Sequence, residues 1–175
     1  FDCSNNKLTS LEGCPKDVGG NFDCSVNKLT SLEGCPKEVG GDFNCDNNEL
    51  TSLDGCPKEV GGDFNCYNNK LTSLDGSPNY ISGYFDCTHN ELTSLEDCPK
   101  QVNGDFECGD NPITPIIDLF NEDVKIYLEY QETYNFLRKD CKIIKHLLIE
   151  AIKDFNEYYN QDIELPEKIE GYTYI

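Results

Sequence analysis

Eleven cysteines, two histidines and thirty-three acidic side chains could supply thiolate, imidazole and carboxylate chemistry, and their spacing decides how much of it is available. Cys3, Cys24, Cys45, Cys66, Cys87 and Cys108 recur every 21 residues, while Cys14, Cys35, Cys56 and Cys98 form a second series interrupted by Ser77. Such series read as small apolar residues filling a core, because free cysteine is among the most buried residue types. No C-x-x-C pair is present, so zinc has little support. Strand neighbours could approach within disulfide range, yet equivalent side chains on a regular ladder point the same way and offer no pairing scheme. Thiols this numerous and unpaired place the chain in a reducing, intracellular compartment. His89 and His146 fall in different regions, and no repeat pairs a nucleophile with a base. The chain is therefore expected to be neither an enzyme nor dependent on a metal or cofactor.

The elements that carry these residues follow from a strict period. Phenylalanine stands at 1, 22, 43, 64, 85 and 106, and the unit F-x-C-x-x-N-x-L-T-S-L-x-G-C-P-x-x-V-G-G-x describes residues 1 to 105 with few departures. A sixth copy begins at Phe106 and fails at Pro112. A fixed period in the twenties makes each repeat one supersecondary unit that is stable only when stacked. Asp42-Phe43-Asn44-Cys45-Asp46 alternates polar and apolar, the signature of a half-buried strand with Phe43 and Cys45 inward. Copies in register predict a parallel sheet on the concave face with strands roughly 4.7 to 4.9 Å apart. Leu50, Leu53 and Cys56 follow at steps of three, leaving room on the convex face for short 3₁₀ or extended turns only. Pro57 fixes a turn, Val60 returns to the core, and Gly61-Gly62 permits unusual backbone angles or close approach. Asn6, Asn27, Asn48, Asn69, Asn90 and Asn111 sit five residues after each phenylalanine. An asparagine both donates and accepts, so this series is expected to be a structural ladder bonding the backbone where the chain leaves the strand.

The residues F-x-C-x-x-N-x-L resemble the leucine-rich-repeat pattern L-x-L-x-x-N-x-L, with Phe and Cys in place of two leucines, over residues 1 to 111. Leu-Thr-Ser-Leu-x-x-Cys-Pro-x-x-Val also resembles the short proline-bearing repeats of bacterial effectors, although this repeat has one extra residue before the strand and no ligase-type catalytic domain is evident. The cysteine-rich 21-residue form is similar to repeats encoded by phages and large DNA viruses. What the resemblance implies is a repeat solenoid, and by its viral likeness a protein of an infected or host cell. The ending Leu-Pro-Glu-Lys-Ile-Glu-Gly-Tyr-Thr-Tyr-Ile looks like tails that follow such repeats in viral proteins, which suggests a native C-terminus.

Fourteen basic against thirty-three acidic residues give a formal charge of −19, which argues against nucleic acid as a partner. No apolar run approaches the roughly 20 residues needed to span a bilayer, so no membrane association is expected. The chain lacks methionine and opens mid-repeat at Phe1, so it reads as a fragment.

The exposed strand face is expected to be acidic and amidic. It suits a basic protein segment or a cation held by carboxylate and amide oxygens; a merely solvated surface is the plain alternative. The fourth repeat departs from the others: Ser77-Pro-Asn79-Tyr80-Ile81-Ser82-Gly83-Tyr84 loses a lysine and gains two tyrosines. Tyr67, Tyr84, Asp63, Asp86, Asp105 and His89 are therefore the candidate binding residues, with tyrosine as the interface anchor. Tyr80 belongs on the turn side. The functional expectation is a non-enzymatic protein-binding module acting through its acidic concave face. The alternative is a structural spacer or a virion or assembly component, with self-association possible and no specific ligand on that face.

Residues 112 to 175 leave the repeat. Thr114 can cap and Pro115 can begin a short helix, a second helix suits residues 121 to 130, and the clearest helix runs from about Cys141 to Tyr158 with Asp140 as its cap. Ile144, Leu147, Leu148, Ala151, Ile152 and Phe155 form its apolar stripe. The division is thus a solenoid over 1–111 and a helical C-terminal cap over 112–175.

Overall fold

A computed structural model describes residues 1–117, 119, 128, 131, 142–143, 145–169 and 172–175. The chain divides into two compact units, Phe1–Asn111 and Pro112–Ile175.

The first unit is a repeat solenoid whose coils contribute two short strands each. β1 (Asp17–Val18), β3 (Glu38–Val39), β5 (Glu59–Val60), β7 (Tyr80–Ile81) and β9 (Gln101–Val102) form one parallel sheet; β2 (Phe22–Asp23), β4 (Phe43–Asn44), β6 (Phe64–Asn65), β8 (Phe85–Asp86) and β10 (Phe106–Glu107) form the other. The register is one coil per step, with Phe22 beside Phe43, Phe43 beside Phe64 and Phe64 beside Phe85, and an Asp2–Asp23 bridge carries the phenylalanine sheet back to the first coil. The valine strand of each coil, expected only to return the chain to the core, is thus a second sheet. Among the described residues 1–111 no helical turn occurs, so the turns between the sheets take the extended form and not 3₁₀.

The core follows from the repeat. Phe22, Phe43, Phe64 and Phe85 are fully buried, as are Cys24, Cys45, Cys66 and Cys87 beside them and the leucines Leu29, Leu32, Leu50, Leu53, Leu71 and Leu74. Each buried phenylalanine is worth roughly 1.5–3 kcal/mol, and stacking makes that burial mutual. The rings lie 5.1 Å apart and nearly parallel at Phe43–Phe64, turning to an edge contact of 4.9 Å at Phe85–Phe106.

Glycine is required for two separate reasons. In Leu53-Asp54-Gly55-Cys56 the Cys56 N–H donates to the Leu53 carbonyl at 3.1 Å while Gly55 has φ +93°, the conformation that a type II turn demands at its third residue. Gly61 has no such φ; a Cβ there would lie 2.3 Å from the Gly40 carbonyl oxygen of the preceding coil. The glycine pair therefore serves close approach.

In the second unit, α1 (Thr114–Ile117) is a single turn. β11 (Lys142–Ile143) pairs in parallel with β12 (Thr173–Tyr174), and α2 spans Lys145–Tyr159. Residues 142–143, expected to be helical, are instead a strand, because the C-terminal Thr173–Tyr174 supplies a ladder partner and β-branched Ile143 suits it. Leu148, Ala151, Ile152 and Phe155 form the buried face of α2 at the expected helical spacing. The expected helix at 121–130, and Asp140, Cys141 and Ile144, lie outside or largely outside the described residues.

Candidate functional site

The face of the phenylalanine sheet is built by oxygen acceptors that hold backbone. In the strand, the side chain directly after Phe22, Phe43, Phe64 and Phe85 points outward, and its Oδ1 turns back to accept the N–H two residues on: Ser25 to Asp23 at 2.9 Å, Asp46 to Asn44 at 3.2 Å, Tyr67 to Asn65 at 2.9 Å and Thr88 to Asp86 at 2.9 Å. The Thr88 hydroxyl also donates to Asp86 Oδ1, at 2.6 Å. At Asp2 the same bond from the Ser4 N–H holds the carboxyl below its usual range. The residues before Phe22, Phe43 and Phe64 do likewise between coils. Asn21 Oδ1 accepts from Asp42 N–H, Asp42 Oδ1 from Asp63 N–H and Asp63 Oδ1 from Tyr84 N–H, at 3.0, 3.0 and 2.9 Å.

Beneath the strand ends runs the asparagine series. Asn48 Nδ2 donates to the carbonyls of Cys45 and of Cys24 one coil earlier, both at 3.1 Å, and its Oδ1 accepts the Leu29 N–H at 3.0 Å. Asn27, Asn69, Asn90 and Asn111 repeat the pattern. Asn6 bonds only Cys3 and Ser4 within its own coil through Nδ2. The residue just before each of these asparagines is left-handed: Asn5, Val26, Asn47, Asn68, His89 and Asp110 all have φ between 51° and 55°.

The six candidate binding residues fall into two groups. Tyr84 is half-buried, and burial first, then the carboxylates of Asp86, Asp63, Glu107 and Asp42, push its phenol up from the usual range. Tyr67 is also half-buried and places its ring 5.0 Å from the His89 imidazole, tilted by 39°. His89 Nδ1 is 3.0 Å from Asp110 Oδ2. Asp105 is exposed in the same series as Tyr84 and Asp63, its carbonyl accepting the Phe85 N–H. Asp110 was not foreseen in this group. Its signal was the left-handed series itself, which sets it one coil beyond His89.

Both thiol series are free and most members are buried. Burial pushes Cys35 and Cys56 up to about 12, and Cys45, Cys66 and Cys87 well above the ordinary thiol range. Their S–H groups donate across coils, Cys56 Sγ to the Gly76 carbonyl at 3.1 Å, and Ser77 makes the same bond to Asp97 at 2.6 Å. Protonated and shielded, these sulfurs are poor nucleophiles. Among the described residues no group of three or more His, Cys, Asp or Glu is placed to hold a metal ion, and no helix is long and apolar enough to cross a membrane.

A second feature lies on the other sheet. An open groove of about 650 Å³ is lined by Asp17, Lys37, Glu38, Lys58, Glu59 and Tyr80, with Val18, Val39, Val60 and the glycines Gly19, Gly40 and Gly61 among its remaining walls. No family model, curated protein or solved structure matches the chain.

Proposed function

We propose that the chain is a non-enzymatic protein-binding module of leucine-rich-repeat character, working in a reducing intracellular compartment and of viral or phage type, whose phenylalanine-sheet face takes a basic polypeptide segment. The observation that carries the reading is the placement of Tyr84. An aromatic ring enters a series otherwise occupied by Asn21, Asp42, Asp63 and Asp105, and it stands close enough to several carboxylates to feel their charge. Tyrosine buries area while keeping a polar tip, and surrounding acids steer a basic partner toward it. Tyr67 and His89 supply a second aromatic contact on the same face. The carboxylates there spend Oδ1 on backbone bonds and keep a charge to offer, so the face can attract without unfolding its own turns.

The test is binding of an arginine-rich peptide followed by titration calorimetry at several salt concentrations. The double variant Tyr67→Ser/Tyr84→Ser is expected to bind at least tenfold more weakly, about 1.4 kcal/mol, while Thr30→Ala on a turn remains at the parent affinity. Equal affinity of parent and double variant, or no binding by the parent, removes the reading.

A further inference from the structure

We infer that the valine sheet is a self-association surface, on which a second copy of this chain docks with its solenoid parallel to the first. The residues preceding each valine form two charged rows. Lys16, Lys37, Lys58 and Lys100 make one, interrupted by Asn79; Asp17, Glu38 and Glu59 make the other, continued by Tyr80 and Gln101. Four lysines stand against three acids, so the acid excess of a −19 chain vanishes here. Elsewhere like-charged copies repel; on this face they need not.

Apart from Lys58, whose Nζ donates to the Gly76 carbonyl at 3.3 Å, these charges are also unspent. Lys70 and Glu49, in another exposed row, pair with each other at 2.9 Å. Lys37, Glu38 and Glu59 line the groove and form no ion pair among the described residues. The floor beyond the acidic row is smooth for a reason independent of binding: Gly40 and Gly61 are confined by carbonyls of the preceding coil, so no side chain rises from it.

The arrangement is self-complementary in one orientation. A two-fold axis along the stacking direction lays the lysine row of one copy over the acidic row of the other, coil against equivalent coil. An axis along the strands would set lysine over lysine and acid over acid. Coil four fits the first arrangement, because Lys and Glu are lost together there, as Asn79 and Tyr80; only Lys100, opposite Gln101 in coil five, is left without an opposite charge. Five strands span only about 19 Å, so the contact falls below the standard interface size and the dimer is weak and reversible.

Sedimentation equilibrium at high protein concentration tests this, with two charge-reversed forms. The parent should dimerise. Lys37→Glu/Lys58→Glu and Glu38→Lys/Glu59→Lys should each associate at least tenfold more weakly alone, and an equimolar mixture of the two should recover the dimer. Carbodiimide cross-linking of mixed isotopically labelled and unlabelled parent copies should join Lys58 of one copy to Glu59 of the other. A parent that stays monomeric, reversed forms that dimerise like the parent, or cross-links that run instead to Asp63 or Asp105 would overturn the inference.

Discussion

The two sheets are stacked from the same coils but use their polar side chains in opposite ways. Beside the phenylalanine strands, aspartate and asparagine interchange: Asp23, Asn44, Asn65 and Asp86 in one series, Asn21, Asp42 and Asp63 in another. What the two residue types share is an Oδ1 acceptor, and that atom is bonded to a backbone N–H in each of these residues. Beside the valine strands the interchange preserves charge instead. Lysine stays lysine next to aspartate or glutamate through coil three, both disappear in coil four, and lysine returns alone as Lys100 in coil five; the groove they line contains no ion pair among the described residues. A repeated polar residue that tolerates Asp for Asn is answering a need for an oxygen. One that keeps its sign is available for something outside the coil. The contrast matters for function because it separates acids that hold backbone as well as carrying charge from acids that make no such bond.

The strongest way to break both faces at once is to attack the core they share. Cys35 and Cys56 have thiols pushed up to about 12 by burial, and Cys24, Cys45, Cys66 and Cys87 are raised further. A raised folded value means that above the ordinary thiol range the unfolded chain loses protons that the folded chain keeps. Stability is then fully present below about pH 9 and falls as pH rises toward 12. The buried thiols all act in the same direction, so the loss steepens as the unfolded chain ionises them, against a typical total stability of about 5–15 kcal/mol. Circular dichroism should show cooperative loss of structure within about two units above pH 9, with thiolate absorbance appearing in step. Thiolates appearing while the strands persist would show that these sulfurs are not shielded.

The contrast between the faces is sharpened by substituting one residue from each. Asn48→Ala removes the acceptor for the buried Leu29 N–H and the donor to three carbonyls, which should cost about 1–3 kcal/mol. Glu59→Ala, exposed in the groove, should change stability by less than about 0.5 kcal/mol. Denaturant midpoints at equal m-value compare them, and equal shifts would erase the distinction drawn between bonded and unspent polar residues.

Much of this was legible from the 21-residue period. The inward phenylalanines and cysteines, the parallel stacking and the asparagine ladder all follow from alternation and from the chemistry of an amide side chain. The second sheet was not, because a strand of two residues such as Glu59–Val60 is too short to show alternation, and only its register with the same residues in the next coil makes it a sheet. The backbone role of the acids on the phenylalanine face was not readable, because an aspartate bonded to its own turn and one that only faces solvent are the same letter. Their exchange with asparagine was the available clue. Tyr67 and His89 were placed near each other by counting coils, whereas the Asp110 contact depends on a left-handed backbone that the count does not reveal. In the second unit, the helical stripe was readable from Leu148 to Phe155, but Lys142–Ile143 took a strand partner 31 residues away in sequence, a contact no local pattern announces.

The smallest expected effect, and the one of opposite sign, concerns that left-handed series. Asn5, Asn47, Asn68, His89 and Asp110 are residue types that tolerate φ near +50°, but coil two places Val26 there at φ 53°. A β-branched side chain pays for that conformation with a Cβ clash, of order 1–2 kcal/mol for an ordinary residue. Nothing offsets it visibly, since Val26 is 43% exposed. Val26→Asn should therefore stabilise the solenoid by about 1 kcal/mol, and its new amide would stand beside Asn47, where Asn68 Nδ2 already donates to Asn47 Oδ1 at 2.7 Å. The reverse change, Asn68→Val, should cost about as much and slightly more, because it also breaks that bond. Denaturant unfolding of the two variants measures both signs. If Val26→Asn leaves the midpoint unchanged while Asn68→Val lowers it, the side-chain bond and not the backbone conformation selects asparagine at the end of each strand, and the polar residues of this face would be held by bonding alone.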